Sequence, residues 1–398
     1  MSTSTLSHFK FDFGPGNTAN GYIGIQPDTI YDEGLGYGFE PVGTIYGRDR
    51  AEARLAPTNQ QSKVNGEGSG SVRKRLQDSF CIPLNTVFRL DVPAGSYRIH
   101  MLIGDEWTET RTIIKAGEGR LILPEIQTPP GQWIEEKCTV HVREGDSLRL
   151  SFSGAAPRIN AMEIMPANQT LTVFIAGDST VCDQPAAGYP YSGWGQMLPA
   201  CFKHDVVVDN HAHSGRSTKS FIDEGRLAAI EKRIKPGDYL FIQFGHNDEK
   251  SDAQRGTQPF TTYKEYLHQY IDTARRREAH PVLITPVHRR YFNEDGSLID
   301  THGDYITAVK ELAVEEEVPM IDLAARSRVL FEEAGVEGSK HDFLWAFPGE
   351  YMNHPAGVED NTHFSVRGAT RLAKEVAAAL SELQLQPLQM YLRGQINR

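Results

Sequence analysis

The chain has 398 residues, of which 39% are hydrophobic and 23% charged. That composition excludes a disordered chain and a membrane-embedded one, and the length suits two domains. Forty-one basic against 52 acidic residues leave a net charge of −11, which argues against nucleic acid or an anionic membrane as partner, because both reward basic surfaces.

The four cysteines, Cys81, Cys138, Cys182 and Cys201, show no CxxC or other zinc spacing. They read as buried or free thiols, not as a disulfide framework. Met1 to Lys10 contains no basic segment followed by an apolar run, so no signal peptide is expected. No apolar stretch reaches the roughly 18 residues of a membrane span. The sequence therefore reads as cytoplasmic, or as secreted if a leader has been removed.

In chain order, residues 1–166 predict an all-β sandwich or jelly roll. Phe9, Phe11 and Phe13 alternate with Lys10 and Asp12. Phe88 to Val92 and Tyr97 to Ile103 flank a turn at Pro93 to Ser96, and Cys138 to Val142 and Leu148 to Phe152 flank Arg143 to Asp146. Period-two runs punctuated by Gly, Pro and Asp suit half-buried antiparallel strands. The polar, Gly-rich stretch from Gly34 to Ser71 reads as a long surface loop, and no amphipathic helix is expected in this half.

The period changes near Pro166 to Gln169, and residues 170–398 read as α/β. Five apolar strands are expected at Leu171–Ala176, Val206–Asp209, Asp238–Phe244, Pro281–Val287 and Val318–Asp322. Helical stretches separate them. Tyr263, Tyr266, Leu267, Tyr270, Ile271 and Ala274 form one apolar stripe, with Thr262 and Glu265 at capping-box spacing ahead of it. A last helix starts near Ser365, with Ala369, Leu372, Ala373, Val376 and Leu380 on one face. Apolar strands alternating with helices predict a parallel sheet covered on both sides.

Ligands of such sheets bind beyond the carboxyl ends of the strands. Strand one is followed by Gly177-Asp178-Ser179-Thr180, strand two by Asn210 to Ser217, and strand three by Gly245-His246-Asn247-Asp248; Asp360-Asn361-Thr362-His363 precedes the last helix. Together these segments contain the parts of an acyl-transfer site. Ser179 needs a base to become a nucleophile, and His363 is the natural one. Asp360 would hold the imidazole tautomer. The backbone N–H groups of Ser179 and Gly215 and the side-chain amide of Asn247 would face the oxyanion. Each alone has a plainer reading as a turn, a loop glycine or a helix cap. All of them in this order, at one sheet edge, favour the catalytic reading. Asp178 is expected to fix the Ser179 turn, Trp194 to be core, and His211 and His213 to be structural, since no third metal ligand is placed.

These four blocks resemble those of the SGNH (GDSL-type) hydrolases, named for Ser, Gly, Asn and His. Gly-Asp-Ser-Thr, Asn210 to Ser217 and Asp360 to Ser365 are most similar to the rhamnogalacturonan acetylesterase branch. The resemblance covers about residues 170–385. It implies a flavodoxin-like three-layer α/β/α fold and a metal-independent serine mechanism without cofactor. It also implies removal of O-acetyl groups from pectic poly- or oligosaccharide. Residues 1–166 look similar to the galactose-binding-like sandwich appended to some bacterial members, as a lid, spacer or carbohydrate-binding module. No dense Asp/Asn loop points to calcium there. An acidic pectic substrate would suit Arg289 and Arg290, which follow strand four, as carboxylate partners. Trp345 would stack on sugar. The alternatives are a lipase, lysophospholipase or thioesterase, which need an apolar groove, and a catalytically silent carbohydrate-binding protein, against which the complete residue set argues. Oligomeric state is not legible in the sequence.

Overall fold

The computed structural model of the chain describes residues 8–51 and 72–394. It divides into two compact units, Met1–Gly117 with Leu121–Gln169 and Glu118–Arg120 with Thr170–Arg398.

The first unit holds β1 (Phe9–Phe13), β2 (Ile23–Ile25), β3 (Tyr37–Phe39), β4 (Thr44–Asp49), α1 (Val72–Asp78), β5 (Ser79–Leu84), β6 (Thr86–Leu90), β7 (Gly95–Asp105), β8 (Thr110–Ala116), β9 (Arg120–Thr128), β10 (Gln132–Val142), β11 (Leu148–Ala156) and β12 (Ala161–Pro166). Two five-stranded sheets, ordered β10-β7-β12-β1-β2 and β3-β6-β11-β8-β9, enclose one apolar core. β1 with β12, β12 with β7, β7 with β10, β3 with β6, β6 with β11 and β11 with β8 pair antiparallel, whereas β2 runs parallel to β1.

The turns at Pro93 to Ser96 and Arg143 to Asp146 each carry the chain from one sheet to the other. β6 and β7 lie in different sheets, as do β10 and β11. The apolar faces of these strands then meet across the sandwich in one core. The stretch expected as a loop from Gly34 contains β3 and β4, and α1 is a short helix where none was expected. Residues 52–71 of that stretch lie outside the described residues. The period-two rule also breaks at Asp12, which is buried because its carboxylate accepts the Ala19 N–H at 2.8 Å.

Phe88 sits at the centre of this core, 1% exposed. Its ring meets Phe11, Phe13 and Phe39 edge-on at 5.2, 5.3 and 5.6 Å.

The second unit holds β13 (Leu171–Gly177), β14 (Tyr191–Ser192), α2 (Trp194–Met197), β15 (Val206–Asn210), α3 (Thr218–Asp223), α4 (Arg226–Glu231), β16 (Tyr239–Gln243), α5 (Lys264–Arg276), β17 (His280–Ile284), α6 (Asp304–Glu315), β18 (Met320–Ile321), α7 (Leu323–Gly338), β19 (Phe343–Ala346), β20 (Val358–Ser365) and α8 (Val366–Glu382). The five expected strands form one parallel sheet ordered β15-β13-β16-β17-β18, which is the flavodoxin-like order. Phe174, Leu240 and Ile242 share a core with residues of α3 to α6. Val173, Ile175, Phe241 and Val282 are also buried, and they point to the opposite face by the period of a strand. The helix α8 packs against both α2 and α7.

The expected capping box of α5 does not form. Thr262 lies one turn ahead, in a wide turn that starts at Pro259, and its hydroxyl accepts from Gln258 N at 2.8 Å. Ser365 does cap α8, accepting from Gly368 N. A second sheet, β14-β20-β19, is antiparallel and was not foreseen.

Two buried titratable groups occupy the Gly245 to Asp248 turn. Burial pushes the Asp248 carboxyl up to about 7, against hydrogen bonds from Thr218. Burial holds His246 down to about 4, although Asp178 lies 3.4 Å away. The two act oppositely on stability. Between about pH 4 and 7 the fold binds more protons at Asp248 than the unfolded chain does, so this term falls as pH rises. Between about pH 4 and 6.5 the unfolded chain binds more protons at His246, so that term rises with pH.

Two outcomes are expected. Phe88→Ala should cost about 3–5 kcal/mol in denaturant unfolding; a cost below about 1 kcal/mol would show that the neighbouring rings close the gap. Asp248→Asn should leave the His246 term unopposed, so the urea midpoint climbs with pH more steeply than in the wild type below about pH 6.5. Parallel midpoint curves for the two proteins would show that Asp248 titrates alike folded and unfolded.

Candidate active site

β13 ends in Gly177, and a tight turn follows. The Asp178 Oδ1 atom accepts both Thr180 N–H (2.8 Å) and the Thr180 hydroxyl (2.7 Å). The Thr180 hydroxyl in turn accepts from Gln243 Nε2 (2.9 Å), and Gln243 Oε1 accepts from the buried Trp194 indole (2.7 Å). This chain of donors and acceptors ties the turn to β16 and α2. Asp178 therefore holds the Ser179 turn, and Trp194 is core, as expected. The Ser179 carbonyl is gripped by Tyr191 Oη (3.2 Å) and Gln184 Nε2 (3.3 Å).

Neighbouring loops arrive because strand pairing continues past the strand ends. His211 N donates to Ile175 O (2.9 Å) and His213 N to Gly177 O (3.0 Å), so the chain after β15 runs beside the Ser179 turn and delivers Gly215. Gly215 sits at φ +79°, a left-handed conformation that costs glycine least. The Asn247 side chain donates to Arg216 O at 3.1 Å, which joins the Asn247 turn to the Gly215 loop. An amide nitrogen carries two hydrogens, so one such bond does not exhaust it.

The His363 side chain comes from β20. Its Nε2 atom lies 2.9 Å from Ser179 Oγ, and its Nδ1 atom 2.7 Å from Asp360 Oδ2. A carboxylate only accepts, so Nδ1 carries the proton and the Nε2 of a neutral ring faces the serine as acceptor. Asp360 and His363 were expected on a loop, yet both lie within a strand. The pairing of β19 with β20 slips between Phe343/Phe364 and Trp345/Glu359, and this bulge holds the pair. Asp360 Oδ1 shapes it by accepting Thr362 N (2.7 Å) and His363 N (3.0 Å). Burial opposes the charge on Asp360, but the His363 ring and these amides outweigh it and hold the carboxyl below its ordinary range.

The structure thus brings Ser179, His363 and Asp360 into one relay. Gly215 and Asn247 are joined beside it, each on a loop at the same carboxyl edge of the sheet.

The arginine pair is a correction. Arg289 is 9% exposed and its guanidinium meets Glu249, Thr301 Oγ1 and His246 O. Arg290 is 6% exposed and meets Ser339 Oγ, Asn361 Oδ1 and Val336 O. A guanidinium turned inward onto several acceptors holds loops together and is not presented to a substrate carboxylate. Trp345 donates its indole N–H to Asn361 Oδ1 at 3.0 Å, and its ring carries the cations of Arg290 and Lys340, each 4.9 Å from the centroid. It borders a cleft of about 520 Å³.

Tyr191 was missed by sequence reading. Its ring packs on the His363 imidazole at 4.9 Å, besides holding the Ser179 carbonyl. No motif or periodicity marks it in the Gly188 to Gly193 stretch. His211 pairs with Asp209 at 2.9 Å. Among the described residues, no three His, Cys, Asp or Glu side chains gather in metal-binding geometry. The four cysteines are buried and form no disulfide. No helix among the described residues is long and apolar enough to cross a membrane.

Residues 175–371 match the sequence model of the GDSL-like lipase/acylhydrolase family, and residues 9–123 match a galactose-binding-like domain of beta-agarase/YXIM-type esterases. The chain is 51% identical over 222 residues to the rhamnogalacturonan acetylesterase RhgT of Bacillus subtilis, spanning 56% of this chain and 94% of that protein. It is 43% identical over 214 residues to the probable rhamnogalacturonan acetylesterase YesY of the same organism, spanning 54% and 94%. Similarity to the uncharacterized esterase YxiM, also of B. subtilis, is 29% over 390 residues and spans 95% of this chain and 91% of that one. The chain belongs to the GDSL-like lipase/acylhydrolase family and is a carboxylic ester hydrolase with a galactose-binding-like domain at its N-terminal side.

Proposed function

We propose that the chain is a serine acetylesterase that removes O-acetyl groups from pectic, rhamnogalacturonan-type poly- or oligosaccharide through an acetyl-serine intermediate. The observation that carries this reading is the relay from Ser179 through His363 to Asp360, with spacings of 2.9 and 2.7 Å, beside Gly215 and Asn247. The names of its RhgT and YesY relatives support the substrate. In this reading residues 170–398 form the catalytic domain and residues 1–166 an accessory one.

The chemistry follows from the geometry. Ser179 Oγ attacks the acetyl carbonyl carbon and gives its proton to His363 Nε2. The carbonyl π electrons move to oxygen, where the N–H groups of Ser179 and Gly215 and the Asn247 amide receive the charge. Asp360, held ionised, stabilises the imidazolium without taking its proton. The tetrahedral adduct collapses with cleavage of the bond to the sugar oxygen, which leaves with the proton from His363. Water then attacks the acetyl-serine carbonyl and gives a proton to His363. Collapse releases acetate, and Ser179 recovers its hydrogen.

Acetate release from acetylated rhamnogalacturonan, acetylated xylan and an aryl acetate tests the assignment. Ser179→Ala should lose at least about 10⁴-fold in kcat on every substrate while retaining the fold. Asp360→Asn should lose about 10²–10⁴-fold, with the loss mainly in kcat, because the ring tautomer is no longer enforced. Preference for the pectic substrate supports the substrate reading. Activity confined to the aryl acetate would remove it and keep the serine mechanism. Substantial turnover by the Ser179→Ala variant would falsify the mechanism itself.

A further inference from the structure

The buried roles of Arg289 and Arg290 leave open where an acidic substrate finds positive charge on a chain of net charge −11. The cleft of about 520 Å³ bordered by Trp345 supplies it. One wall is α8, whose Arg367, Arg371 and Lys374 all line the cleft. They are spaced i, i+4, i+7 and so share one helical face about 10 Å long. Asp342, fully buried, pairs with Arg371 and lies 3.3 Å from Arg367. One carboxylate set behind two guanidiniums fixes their direction and leaves the group cationic. A guanidinium has five donors, so an ion pair on one edge leaves the other edge for a second carboxylate.

Another part of the lining is aromatic. Tyr189 and Tyr351 both line the cleft, with their rings packed edge-on at 5.7 Å. The two loops that carry them are tied together by Asn353 Nδ2, which donates to Ala186 O and Tyr189 O, each at 3.2 Å. The acidic member of the lining is Glu350, which accepts the Phe347 N–H at 2.9 Å. Tyrosine rings suit the apolar faces of sugars, and fixed guanidiniums suit their carboxylates.

The cleft is adjacent to the relay. Ser365 lines it, and on β20 the side chain between Ser365 and His363 is the fully buried Phe364. His363 and Ser365 therefore project from the same face of the strand, about 7 Å apart. A sugar chain whose acetyl group meets Ser179 can place a neighbouring residue in the cleft.

We propose that this cleft is a uronate subsite, in which Arg367, Arg371 and Lys374 hold the carboxylate of a uronate unit of the bound chain and Tyr189 and Tyr351 pack against its ring. The proposal rests on the pectic reading above and names the part of that substrate this face recognises.

The test compares wild type with an Arg367→Gln/Lys374→Gln double variant, which leaves the Arg371–Asp342 pair intact. Calorimetry measures binding of a deacetylated rhamnogalacturonan oligosaccharide and of the same oligosaccharide with its carboxyl groups reduced to alcohols. Wild type should bind the carboxylate form about tenfold more tightly, and added salt should shrink that preference. The double variant should lose the preference. Equal affinity of wild type for the two forms, or full preference in the variant, overturns the subsite. Thermal melting of the same samples checks folding; should the double variant fail to fold, Arg367→Gln alone carries the comparison, its side chain being 57% exposed. Acetate release by wild type from the acetylated oligosaccharide is read separately. Its absence alongside preferential, Arg367-dependent binding would overturn the esterase substrate and not the subsite.

Discussion

The pairing of β13 with β15 on one side and β16 on the other is the constraint from which the site follows. Gly177 ends level with Gln243, and the ladder to the β15 segment continues through His211 and His213. Backbone hydrogen bonds therefore set three loops side by side before any side chain is considered. Polar side chains then lock them. Gln243, Thr180 and Asp178 bind the serine turn from below, and Asn247 binds the glycine loop through Arg216 O. Each of these groups is buried, so a broken link leaves an unsatisfied donor or acceptor worth about 1–3 kcal/mol. A network with that much at stake holds one geometry in preference to many.

The imidazole of His363 arrives by a different route. His363 stands on an antiparallel strand outside the main sheet, and only the bulge at Asp360 lets residues three apart in a strand meet. A regular strand would send them to opposite faces. The Asp360 carboxylate both shapes the bulge, through two backbone amides, and orients the ring. Tyr191 completes the link between the two halves, touching the imidazole with its ring and the Ser179 carbonyl with its hydroxyl.

Much of this was legible because chemistry-bearing residues follow apolar strands directly. Ser179, Gly215 and Asn247 could be placed on one edge from the periodicity alone, and the parallel sheet was equally plain. What failed was direction and partner. Arg289 and Arg290 follow a strand as expected, yet nothing local shows that Glu249 and Asn361 wait for them inside the fold. The strand β20 was unreadable because Glu359, Asp360, Asn361 and Thr362 are polar and its register slips. The sequence does not say which sheets the turns at Pro93 and Arg143 join, because a turn has the same residues whether it stays in one sheet or crosses to another. Thr262 matched a capping spacing, but the helix proper begins at Lys264.

The long reach of one contact has a consequence for the timing of synthesis. Ser179 and His363 meet across 184 residues of chain, whereas Asp360 and His363 are three residues apart. During translation the sheet strands and the serine turn emerge first, and domains tend to fold in that order. A nascent chain that has emerged only through β18 has the Ser179 turn but not the imidazole that meets it. The Ser179–His363 contact waits until the carboxylate–imidazole unit is made, and that unit arrives with its internal geometry already written into one short bulge.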